Sequence, residues 1–148
     1  MSHDGPSVAF HTGVSDPVGH ALRLTRKALS LGSRVLVIGP DQPVRELDEQ
    51  LWTAEPGSFV AHAVWRADVA NSTRLKHAPV WLCGPVTGDV PAERDVLINI
   101  GLPVPGNAGA FAKVIEVVSA DSAERGPGQQ RWRHWREQGI TPDHHTFS

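Results

Sequence analysis

Two stretches, Val8-Ala9-Phe10-His11 and Arg34-Val35-Leu36-Val37-Ile38, with the segment between them, decide the fold class. Residues 8–11 form a short, mostly apolar run that ends at Thr12-Gly13, as a strand does when it enters a turn. Asp16 then stands directly before Pro17. An aspartate there caps the unpaired amides of a helix start, and a proline at the first helical position gives up an amide that has no partner anyway. Val18, Ala21, Leu22, Thr25, Ala28 and Leu29 recur at helical spacing and define one buried face. Gly32 supplies the stop. The run from Val35 to Ile38 follows at once, and an unbroken β-branched and apolar run belongs to a strand covered on both faces. A strand, a helix and a strand joined by tight turns make a parallel unit with a right-handed crossover.

The same alternation continues outward. Gly39-Pro40-Asp41 is a turn, and Pro43 opens a second helix with Val44, Leu47 and Leu51 on one face, ending near Thr53. Strands are expected over Phe59–Val64, Val80–Cys83, Val96–Ile100 and Val114–Val118, with a short helical turn over Gly109–Lys113. Gln129–Gln138 reads as a final helix stopped by Gly139. The Pro- and Gly-rich segments 84–91 and 101–106 are too short to be linkers between domains. The expected fold is a three-layer α/β sandwich around a mostly parallel, Rossmann-like sheet, with residues 1–148 as one domain. A chain of 148 residues with 40% hydrophobic and 20% charged residues has ordinary globular composition. The formal charge of −2 argues against a surface that grips nucleic acid as a whole. Cys83 is the sole cysteine, which excludes an intramolecular disulfide and a cysteine-rich zinc module. Residues 1–6 carry no basic or apolar leader pattern and no apolar run is long enough to span a bilayer, so a cytoplasmic location is expected.

Chemistry is sparse. Neither turn after the first two strands carries a glycine-rich phosphate-binding pattern, and Pro40 removes an amide where such a loop needs donors. No serine nucleophile elbow is present. Cys83 at the end of an apolar strand reads as a core filler, and His62 as a structural hydrogen-bonding group. Asp48 and Glu49 read as a solvated helix flank, and Asp143-His144-His145 as a solvated tail. No catalytic residue, cofactor site or metal site is expected.

Two features stand out. Arg131-Trp132-Arg133-His134-Trp135-Arg136 places aromatic and guanidinium groups at helical spacing. One reading is a buried tryptophan pair with solvated arginine stems. The sharper reading is a groove with an aromatic floor and a guanidinium rim, suited to an acidic peptide with an apolar end or to stacked single-stranded nucleic acid. Trp52 and Phe59 flank the Ala-Glu-Pro-Gly segment 54–57 and are core residues or an exposed protein-binding patch. A nucleotide- or phosphate-binding α/β enzyme and a direct single-stranded nucleic-acid binder remain the alternatives.

The ordered set of motifs resembles one family. Arg34-Val35-Leu36-Val37-Ile38, Leu47-Asp48-Glu49-Gln50-Leu51-Trp52, Ser58-Phe59-Val60-Ala61-His62, Arg94-Asp95-Val96-Leu97-Ile98-Asn99, Val114-Ile115-Glu116-Val117-Val118 and Arg131–Gly139 are similar, in order, to the chi subunit of bacterial DNA polymerase III. The resemblance implies a Rossmann-like fold without catalysis, in an accessory subunit of a DNA-directed DNA polymerase. It implies attachment to the clamp loader through the psi subunit, or to a repair helicase on the same surface, carried here by Trp52 and Phe59. It also implies binding of the acidic C-terminal tail of single-stranded DNA-binding protein by Gln129, Trp132, Arg133 and Arg136. DNA would be reached indirectly. Departures are Ala61 for the usual proline, Trp132 where tyrosine is frequent, and Gln129 near a frequent basic residue. The Gly/Pro-rich segment 121–128 leads to the expectation of a late-starting last helix.

Overall fold

The computed structural model describes residues 6–53, 62–64, 78–85, 89–91 and 93–147. Among these residues seven strands form one sheet in the order β3-β4-β2-β5-β6-β1-β7, and every described pairing is parallel. The strands are β1 (Ser7–Val14), β2 (Val35–Ile38), β3 (His62–Val64), β4 (Val80–Cys83), β5 (Val96–Asn99), β6 (Lys113–Ser119) and β7 (Asp143–Thr146). Helices α1 (Pro17–Ser30) and α2 (Asp41–Thr53) follow β1 and β2, and α3 (Arg125–Glu137) follows β6. Every residue of β2, β4 and β5 is buried, as their apolar runs require of strands covered on both faces.

Side-chain alternation divides the core between two faces of the sheet. Val35, Val37, Leu82, Ile98 and Val117 point to the layer where α1 supplies Val18 and Ala21 and α2 supplies Val44, Leu47 and Leu51. Phe10, Leu36, Ile38, Leu97 and Val118 point to the opposite layer, which α3 closes with Trp135. The three-layer sandwich is therefore as expected. The Asp16 cap is also present, its Oδ1 accepting the Gly19 amide at 3.0 Å with Pro17 just inside the helix.

Several boundaries differ from the expectations. Strand β1 runs on past His11 to Val14, through a register shift at Gly13, whose φ of +69° suits glycine. Helix α2 begins at Asp41, with Pro43 in its first turn, where a missing amide costs nothing. The helical turn expected over Gly109–Lys113 is a 3₁₀ turn at Ala108–Ala110. Helix α3 begins early rather than late. A 3₁₀ turn at Ser122–Glu124, capped by Asp121 Oδ1 on the Ala123 amide at 3.0 Å, leads straight into it. Pro127 falls in its first turn, which tolerates proline. Asp143–Thr146 is not a free tail but strand β7, paired with Ala9–Thr12 of β1. Its four residues are exposed polar ones at a sheet edge, so no apolar alternation announces the strand. Of the strand expected over Phe59–Val64, the part His62–Val64 is seen, and Phe59, Val60 and Ala61 lie outside the described residues. No described helix is long and apolar enough to cross a membrane.

Candidate functional site

Helix α3 is anchored by charge as well as by apolar contact. Glu116, in the middle of β6, is fully buried. Its Oε1 accepts from Arg131 Nε at 3.0 Å and its Oε2 from Trp135 Nε1 at 2.7 Å. Arg131 also donates to the carbonyls of Asn99 and Val117, each at 3.0 Å. One guanidinium thus ties α3 to the C-terminal ends of β5 and β6. A buried carboxylate is tolerated only when paired and hydrogen-bonded in this way. Gly128 lets the start of the helix press down, since a Cβ there would lie 2.9 Å from Val118 Cγ1.

This anchoring opens a cleft at the C-terminal ends of β1 and β6. Adjacent strands β1 and β6 send their chains to opposite faces, β1 into α1 and β6 into α3. A crevice at such a crossover point is where open α/β sheets receive ligands. Its volume is ≈ 420 Å³. Phe10, Val118 and Trp132 form the apolar floor. Phe10 and Trp132 meet edge-on, with ring centroids 5.0 Å apart and planes at 66°. One side is polar, made by Asp121, Ser122, Arg125 and Gln129 from the loop before α3 and its first turns. The other side is Thr12 and Gly13 of β1 with His144 of β7.

The β7 side is held by a histidine cluster. Thr12 Oγ1 and His144 Nε2 are hydrogen-bonded at 2.7 Å, and the His144 ring lies 5.9 Å from that of Trp132. On the opposite, α1-covered face of the sheet, His11 Nδ1 and His20 Nε2 hydrogen-bond at 2.8 Å. Phe147 packs on both, at 4.9 Å from His11 and 4.6 Å from His20. Burial, then the neighbouring His20, His145 and Lys113, pushes the His11 imidazole down to about 4. Burial and Arg23 also lower His20.

Of the sequence-derived tail residues, Gln129 and Trp132 line the cleft together. Arg133 and Arg136 are exposed on the same helix but are not among the lining residues. Arg125 is, and sequence reasoning passed over it because the helix was expected to begin after it. Trp135 belongs to the core rather than to the groove. Trp52 ends α2, on the other face of the sheet and beside β3 at the far edge. It is 60% exposed and sits edge-on to His62 at 5.2 Å. His62 donates to Asp48 Oδ1 at 2.8 Å, the structural role expected of it, while Asp48 is partly buried by that pair rather than freely solvated. Phe59 lies outside the described residues. Cys83 is buried among apolar side chains and burial raises its thiol to about 11, as suits a core filler. Among the described residues no group of three His, Cys, Asp or Glu side chains is placed to hold a metal ion.

Comparison with known proteins shows the family. The family model described as DNA polymerase III chi subunit, HolC, matches residues 6–143. The DNA polymerase III subunit chi of Pseudomonas aeruginosa is 34% identical over 127 residues, covering 84% of this chain and 82% of that protein. The subunit of the same name from Haemophilus influenzae is 28% identical over 110 residues, covering 73% of this chain and 72% of its own. With a family match across nearly its whole length, the chain belongs to the chi subunit family of DNA polymerase III.

Proposed function

We propose that this protein is a non-catalytic accessory subunit of the cytoplasmic replication machinery. It couples the polymerase III clamp loader to single-stranded DNA-binding protein by holding that protein's acidic C-terminal tail. The observation that carries this reading is the cleft: an apolar floor of Phe10, Val118 and Trp132 beside the Arg125 guanidinium. An apolar terminal side chain can cover the floor while a carboxylate meets a guanidinium, which can fork onto its two oxygens. Arg133 and Arg136, exposed further along α3, can meet acidic residues upstream in the tail. Exposed ion pairs are worth only about 0–1 kcal/mol each, so the apolar seat must supply much of the affinity. Binding is then roughly micromolar and weakens with added salt.

Trp52 is the anchor of a second contact, to the psi subunit or to a repair helicase on the same surface. It lies on the opposite face of the sheet from Trp132, so both contacts can be made at once. Two weak contacts in one assembly gain residence through effective concentration. Direct stacking of single-stranded DNA is less well supported, because Trp132 is half-buried and already packed edge-on against Phe10.

Calorimetric titration with the tail peptide and, separately, with an oligo-dT strand tests the reading. The tail should bind near micromolar affinity and the strand should not. Strand binding with a steep salt dependence and no tail binding would replace it with the nucleic-acid reading.

A further inference from the structure

The chain's last strand closes the cleft. His144 is the residue of β7 that lines it, and it reaches the cleft only because β7 lies along β1 in one register, Phe10 opposite His144 and Thr12 opposite Thr146. That register is locked just beyond the strand. The Phe147 amide donates to the Thr12 carbonyl at 2.8 Å, and the Phe147 ring packs on the hydrogen-bonded His11–His20 pair. At Gly13 the backbone carbonyl of Phe147 occupies the space a Cβ would need, so β1 is shaped to receive this segment.

We propose that the segment Asp143–Phe147 is a built-in wall of the peptide cleft, with Phe147 as a positioning residue that acts through His144. Phe147 is not among the lining residues. Its role is to fix the strand that carries His144, whose ring stands edge-on to Trp132 and is held by Thr12. An edge strand of exposed residues contributes little burial of its own, so without the Phe147 anchor it frays and the wall opens. The inference rests on the reading of the cleft as a seat for an acidic peptide with an apolar C-terminal residue.

The test titrates such a peptide calorimetrically into four forms of the protein: full length, truncated after Pro142, Phe147→Ala and Phe147→Leu. Truncation should weaken binding about tenfold and Phe147→Ala about threefold or more, with Phe147→Leu close to full length. The Trp132 indole N–H resonance should shift in the two weakened forms and not in Phe147→Leu. If the full-length protein fails to bind the peptide, the reading of the cleft itself is overturned. If the full-length protein binds and a folded truncated form binds equally well, the wall is overturned and the cleft reading stands. If truncation unfolds the chain, Phe147→Ala decides by the same comparison, because it removes no backbone pairing.

Discussion

Trp135 donates its indole N–H to Glu116 Oε2 at 2.7 Å, with both side chains shut away from solvent. The bond joins the last helix to the middle of the sheet, and Arg131 completes it from the other carboxylate oxygen. The partly buried Trp132 of the cleft stands between these two anchoring residues in sequence. The Trp132 side of the cleft is therefore oriented by a buried polar cluster one helical turn long.

Removing that carboxylate leaves a buried guanidinium and a buried indole N–H without their partner. Glu116→Ala should cost about 3–5 kcal/mol, the range for breaking a buried pair, and Glu116→Gln less because the amide oxygen still accepts. Urea unfolding of the two variants and the parent checks this. A loss under about 1 kcal/mol in Glu116→Ala would show that the site relaxes or hydrates.

Gly13→Ala strains the molecule twice, once through the positive φ and once through the Phe147 carbonyl in the path of the new methyl. The cost should be about 1–3 kcal/mol. Amide exchange should become faster in residues 143–147 well before it does in β2 or β5. Uniform acceleration across the sheet would mean that β7 is no separate unit.

The His11–His20 pair makes stability pH-dependent in a stated direction. The His11 imidazole is lowered from 6.5 to about 4 in the folded chain by burial, then by His20, His145 and Lys113. The unfolded chain therefore takes up a proton that the folded chain refuses. The stability that His11 contributes is full above pH 6.5, falls as pH drops toward about 4, and levels off below that. Thermal unfolding across this window should show a shallower pH slope for His11→Asn than for the parent. Identical slopes would remove His11 from the cause.

Trp52→Ala should leave the isolated chain within about 1 kcal/mol of the parent, because the indole is 60% exposed. The same change should abolish capture of the psi subunit if Trp52 is the anchor of that contact. Denaturant midpoints and pull-down against psi read the two effects separately, and a large stability loss with intact capture would make Trp52 a structural residue.

Much of the scaffold was legible where one physical signal dominates. The apolar runs of β2, β4 and β5 announce central strands, and Asp16-Pro17 announces the start of α1. Strand β7 was not legible, because an exposed polar edge strand has no period to read. Arg125 was missed for a related reason: Gly126-Pro127-Gly128 looks like a helix breaker, yet proline is harmless in a first turn and Gly128 is needed against Val118. The buried Glu116 carried a signal that could have been used. A carboxylate inside Val-Ile-Glu-Val-Val demands a buried cation, and Arg131 on the following helix is a candidate within reach.

The most direct measurement is a two-dimensional amide and indole spectrum of the labelled protein, titrated with the acidic tail of single-stranded DNA-binding protein and with the same tail lacking its last residue. The intact tail should shift the Trp132 indole N–H and the amides of Gly13, Val118–Asp121, Arg125 and Gln129, and leave Trp52 unmoved. The shortened tail should shift these signals far less at equal concentration, because the apolar seat is left empty. Equal shifts from both tails, or shifts centred away from Trp132, would contradict a peptide cleft between β1 and α3.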